Sequence, residues 1–332
     1  MAAKQVFWVV LAIAIAITGC KKKPAPTPPG PEGQAPTTPE STPSQAEPTA
    51  VKPTTPESPA AAPAVGGWSV EKIATVETGL VAPESILPDP TTGQIFVSNI
   101  DTQTQGYWEA DGRGFISLLN PDGSIKTLRW LESRPDAELN APKGMCVLNG
   151  KLYMADITTL KRCDAATGQN PEHTKLSGRQ LNDVATDGSV VYVSDTAGNK
   201  LFKVSPSEGL SEVKSPPSPN GVTCWQGKVF AVSWGAHDIY EIDPTGQRDP
   251  VPFGLAEHFK TLDGIEVLDD GTFIVSDFEG GKVCAVSADR KTVTTLAELT
   301  TPADIGVDRK AGLLFVPQLT VNKAVIYKLI KN

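Results

Sequence analysis

Six copies of one phrase, a period near forty residues and four short strand signals per copy predict an all-β chain folded as a six-bladed β-propeller. The clearest copy spans residues 262–275 (LDGIEVLDDGTFIV): a carboxylate and a glycine, a short apolar strand, a tight turn, then a second apolar strand. The others open at Pro83, Pro142, Asn182, Pro219 and Ala303. Set in register, they place Glu84, Lys143, Asp183, Asn220, Asp263 and Asp304 at one equivalent position, at spacings of 59, 40, 37, 43 and 41 residues.

The first segment, residues 1–19, reads as a signal peptide. Lys4 supplies a positive start and residues 6–17 form an apolar run too short for a comfortable membrane span. Its end, Ile17-Thr18-Gly19-Cys20, resembles the bacterial lipobox, which implies cleavage before Cys20 and lipidation of that cysteine. Lys21 follows where an inner-membrane retention aspartate would stand, so the expected address is the outer membrane, facing the periplasm or cell surface. Residues 20–66 then form a tether: 21–66 hold 13 of the 29 prolines and no aromatic residue, a composition that cannot bury enough surface to order itself.

The propeller domain is residues 67–332. Five lysines oppose four glutamates up to Gly66, so with −8 for the whole chain the domain carries about −9. That balance excludes a nucleic-acid partner, since phosphate binding rests on Lys and Arg. The expected partners are the membrane, through the lipid, and a small-molecule ligand or envelope protein. Cys146, Cys163, Cys224 and Cys284 lie in strands of different repeats with no CxxC spacing, so they read as unpaired core thiols.

The third repeat shows the blade pattern. A short apolar strand at 184–186 is followed by the Asp187-Gly188 turn, an alternating strand at 190–194, another at 200–204 and a last at 210–213. The sixth repeat ends one strand short, and SVEKIATV at 69–76 precedes the first phrase without a blade of its own. It is expected to supply the missing outer strand and close the ring, hiding edges that would otherwise pair with other chains.

In such a blade the recurrent polar position precedes the innermost strand, so its six copies are expected to ring the mouth of the central channel. The loops between second and third strands, carrying Asn99, Asp101, Asp156, Asp195, His237 and Asp277, open on the same face, and the longest, 101–114, holds Tyr107 and Trp108 as a wall or lid. Carboxylate and amide oxygens converging without thiolate or imidazole suit Ca²⁺, and Mg²⁺ or Mn²⁺ less well. The competing reading makes each a local turn former that accepts backbone N–H groups; it accounts for Asp304 and Asp183 better than for Glu84. Lys143 would pair with Glu84, attract an anionic ligand or point to solvent.

At these residues the chain resembles the gluconolactonase and senescence-marker-protein (regucalcin-like) family of six-bladed propellers. The matching residues are Pro83-Glu84-Ser85, Leu181-Asn182-Asp183, Asn220-Gly221 and Asp263-Gly264. The resemblance implies a divalent metal on Glu84, Asn220 and Asp263, with Asp263 also the catalytic base. Asn182 would meet the substrate, with Asp183, Lys143 and His237 as further substrate-side candidates. Sugar-lactone members carry an arginine two residues before Asn182; here that place is Gln180, which weighs against an aldonolactone substrate. The expectation is thus an envelope-anchored, metal-dependent lactone or ester hydrolase, with a non-catalytic ligand-binding or protein-interaction propeller as the alternative. No GxSxG or HExxH motif offers another catalytic route.

Overall fold

The computed structural model describes residues 67–102 and 106–332. The signal segment, Cys20 and the proline-rich stretch lie outside them. Among the described residues the strands form six antiparallel sheets of four, the six expected blades. In blade three the strands Leu181–Thr186, Val191–Asp195, Lys200–Ser205 and Gly209–Val213 pair in that order. Asp187 forms its first turn by accepting the N–H groups of Ser189 (2.8 Å) and Val190 (3.0 Å), while Gly188 takes φ +92°, a conformation open to glycine.

Blade six is closed as the sequence predicts. Trp68–Val76 pairs antiparallel with Lys323–Lys331, the last strand of the chain, to give the fourth strand of that sheet. The apolar cores lie between neighbouring blades; Phe230 and Val232 of blade four, for example, pack against Leu262, Phe273 and Val275 of blade five. Both faces of the middle strands are covered, which is why Phe273–Asp277 is buried throughout instead of alternating. The four cysteines among the described residues are free. Burial pushes the Cys163 thiol up to about 12 and the Cys284 thiol to about 11, which keeps them protonated and inert.

The strand register corrects the alignment of the repeats at two places. Pro83, Pro142, Leu181, Pro219 and Leu262 each pair with the last residue of the second strand, and a bulge follows in each inner strand before Ile86, Met145, Val184, Val222 and Ile265. Pro302 makes the corresponding bridge to Gln318 in blade six. The equivalent residues are therefore Glu84, Lys143, Asn182, Asn220, Asp263 and Ala303. Asp183 and Asp304 fall one residue later, in a second layer with Ser85, Gly144, Gly221 and Gly264. The backbone confirms the layering: the hydroxyls of Ser98, Ser194 and Ser276 accept the N–H groups of Ser85, Asp183 and Gly264. A slip of one residue along a strand exchanges faces, so this difference moves two carboxylates from one level of the channel to another.

Glycine dominates the second layer because adjacent blades nearly touch there. A Cβ on Gly221 would collide with the Asp263 carbonyl oxygen and stand 3.0 Å from Gly264 Cα. Gly221→Ala is expected to lower the melting temperature by several degrees, as overpacking costs about 1–3 kcal/mol; an unchanged melt would show that blades four and five are not in this contact.

Candidate functional site at the channel mouth

The upper layer forms the floor of a cavity of about 360 Å³. Glu84, Lys143, Asn182, Asn220 and Asp263 line it, one from each of five blades. Blade six contributes only Ala303 at that level, so the ring of side chains has a gap. Tyr107, Trp108, Trp234, Phe278 and Leu319 build the walls, together with Gln180 and Thr196. Trp234 and Phe278 meet with ring centroids 5.4 Å apart, and Trp108 lies over Lys143 with the ammonium 4.1 Å from its centroid.

Four floor oxygens are buried without a hydrogen-bond partner: Glu84 Oε2, Asn182 Oδ1, Asn220 Oδ1 and Asp263 Oδ1. Native interiors rarely leave such groups unpaired, and four in one polar cavity mark a place built for a ligand. The remaining Glu84 oxygen, Oε1, stands 3.6 Å from Lys143 Nζ. Burial lifts Glu84 to about 7 against the pull of Lys143. Asp263 is held well above the usual carboxylate range by burial and by the Glu84 charge, while Lys143 and Asn220 act in the opposite sense.

Asp183 and Asp304 do not face this cavity. Asp183 Oδ1 accepts the N–H of Val184 and Oδ2 that of Val222, each at 2.6 Å, so it ties blade three to blade four as the turn-forming reading supposed. Asp304 Oδ2 accepts the Ser85 hydroxyl at 2.6 Å, across the closure between blades six and one. Both line a second cavity of about 260 Å³ farther along the channel. His237 lies on the same loop as Trp234, at φ +59° with Nδ1 unpaired, but does not line the mouth; the neighbouring indole takes that place.

The loop acids have a structural job. Asp195 accepts the N–H groups of Arg179, Gln180 and Gly198, and Asp277 those of Lys260, Thr261 and Gly280. Each sits at the end of a second strand and pins the segment that leads into its blade's inner strand. The wall residues Thr196, Trp234, Phe278 and Leu319 share one address, directly after the last residue of the second strand. That repeated address is the signal by which Phe278 and Leu319 are recognisable in sequence.

Two raised carboxyls set a stability trend. A carboxyl whose pKa is higher in the folded state keeps a proton that the unfolded chain has released, so stability falls as pH rises between the two values. For Glu84 the window runs from 4.5 to about 7 and for Asp183 from 3.8 to about 7. Carboxylates with lowered pKa, such as Asp270 at about 2, lose their contribution below that window. Without added metal the protein is expected to melt lower at about pH 8 than at about pH 5; a melting temperature rising across that interval would contradict the buried acid pair.

No protein-family model matches the chain, and no curated protein matches it. Solved structures do. A gluconolactonase from Xanthomonas campestris superposes with a TM-score of 0.58 at 15% identity, over 82% of this chain and 99% of that one. The fold is the gluconolactonase-like six-bladed propeller. A catalytically inactive virginiamycin B lyase from Staphylococcus aureus with quinupristin gives 0.53 at 14% identity, covering 79% and 99%. A PQQ-bound aldose sugar dehydrogenase from Streptomyces coelicolor gives 0.58 at 14%, covering 79% and 98%. A gluconolactonase, a lyase and a dehydrogenase share this scaffold, so the chemistry must be argued from the side chains at the mouth.

Proposed function

We propose that the chain is an envelope-anchored hydrolase of lactones or esters, dependent on a divalent cation, that works at the channel mouth and is carried on a lipid at Cys20. The observation that carries this reading is the convergence of four unpartnered, buried oxygens in one aromatic-walled cavity. Among the described residues no cluster of three or more His, Cys, Asp and Glu is arranged for a metal. Here the donor set is two carboxylates and two amides, an all-oxygen set that fits a hard cation such as Ca²⁺.

Glu84, Asn220 and Asp263 would hold the ion, which when bound supplies Lewis-acid polarisation of a carbonyl. Asn182 presents an amide to the substrate, and the aromatic walls exclude water from the reacting group. Asp263 acts as the general base, its carboxylate lining the cavity where it would take a proton from the attacking water. Metal analysis of the purified protein beside Glu84→Gln tests the reading. Stoichiometric metal in the parent, lost in the variant, together with stabilisation of about 2.7 kcal/mol at a hundredfold excess over Kd, is the expected result. Neither metal nor stabilisation would reject it.

A non-catalytic ligand-binding propeller is the second reading, favoured by one observation. Lys143 already sets a cation against Glu84. Ligand binding without turnover across a panel of lactones and esters would select it.

A further inference from the structure

The ammonium of Lys143 is the one floor group that hydrolysis leaves without a task. Lysine is seldom fully buried unless paired, yet Lys143 is 3% exposed. Its ion-pair partner is Glu84 at 3.6 Å, wider than the roughly 2.7–2.9 Å of a charge-assisted hydrogen bond. Trp108 covers another side. An ammonium carries three N–H donors, so one loosely held carboxylate and one ring face leave donor capacity directed into the cavity.

The charge balance shows what would complete it. With both acids ionised, Glu84 and Asp263 set two negative charges against one positive charge on Lys143. A divalent cation on those two acids reverses the sign and leaves the floor layer itself with one net positive charge. A buried charge without a partner costs several kcal/mol, so a monoanion would complete the loaded floor, while Asp183 and Asp304, one layer below, are held by their own backbone and hydroxyl donors.

We propose that the site selects substrates that carry a carboxylate. That group sits on the Lys143 ammonium, and the ring or acyl body lies against Trp108, Trp234 and Phe278. The charge argument rests on the metal-dependent reading above, whereas the unused donors of Lys143 do not.

Calorimetric titration of the lipid-free chain, with and without Ca²⁺, tests it with two ligands that cannot be hydrolysed as lactones: tetrahydrofuran-2-carboxylate and tetrahydrofuran-2-carboxamide. The carboxylate is expected to bind about tenfold or more tightly than the amide in the presence of Ca²⁺, as expected for a charge-assisted contact. Lys143→Met should bring the two within about twofold, and Lys143→Arg should restore most of the preference. Lys143→Gln replaces the Met variant if its melt shows that it does not fold. Equal affinities in the parent, no binding of the carboxylate, or a preference that survives in a folded Lys143→Met protein each overturn the inference. Metal stabilisation without carboxylate preference removes the carboxylate subsite alone. Carboxylate preference without any metal response removes the metal reading and leaves the subsite standing.

Discussion

Replacing Asp263 with asparagine is expected to lower lactone or ester turnover by about 10²–10⁴-fold, the usual contribution of a positioned general base. The substitution is close to isosteric, so the packing of blades four and five survives while the carboxylate is lost. Asp263 is the candidate because, of the two floor acids, Glu84 is paired with Lys143 while Asp263 makes no such ion pair. It is the second residue of the inner strand of blade five, one carboxylate oxygen lies bare in the cavity, and burial together with the Glu84 charge holds its pKa above the ordinary range. Asp304→Asn is the matched control. It removes another buried, raised carboxyl from the same channel, but one that faces the second cavity and bonds Ser85. Steady-state kinetics on the panel should show kcat/KM collapsing in the first variant and changing only a few-fold in the second. Equal losses in both would mean that the general charge of the channel, not a base at position 263, controls the rate.

The largest effect on stability is expected at Asp277. Its buried carboxylate accepts the N–H of Lys260 at 3.1 Å, of Thr261 at 2.9 Å and of Gly280 at 3.1 Å. Asp277→Ala leaves those donors without an acceptor, two of them in the segment that delivers Leu262 and Asp263 to the channel. At about 1–3 kcal/mol per orphaned buried group the loss is roughly 3–5 kcal/mol. For a domain of this size that is a fall in melting temperature of about 10 °C. Asp277→Asn keeps one acceptor oxygen and should recover part of the loss. A thermal melt of the three proteins checks the order, and an alanine variant as stable as its parent would remove the staple.

The number and closure of the blades were legible in the sequence because each repeat carries its own turn chemistry and hydrophobic alternation. Asp187-Gly188 in blade three shows this, as does the unpaired strand signal at 69–76 that became the outer strand of blade six. The members of the site were legible in part. Glu84, Lys143, Asn220 and Asp263 stand at the mouth, but aligning the phrases on their first acid put Asp183 in the place of Asn182 and Asp304 in that of Ala303. The phrases LNDV and LDGI differ in where the acid sits relative to the leucine, and only pairing with the second strand fixes that register. Phe278 and Leu319 were missed for a related reason. An aromatic or aliphatic residue after a strand looks like core until the loop is seen to carry it over the floor.

Turns, strand periodicity, the repeat and the number of blades depend on neighbours along the chain, and so can be read from the residues alone. The packing of the blades sets which polar residues share a level of the channel and which oxygens remain unpaired. It also placed the Lys143 ammonium beneath an indole. Those facts arise between strands some forty residues apart, where a bulge of one residue sends a side chain to a different cavity.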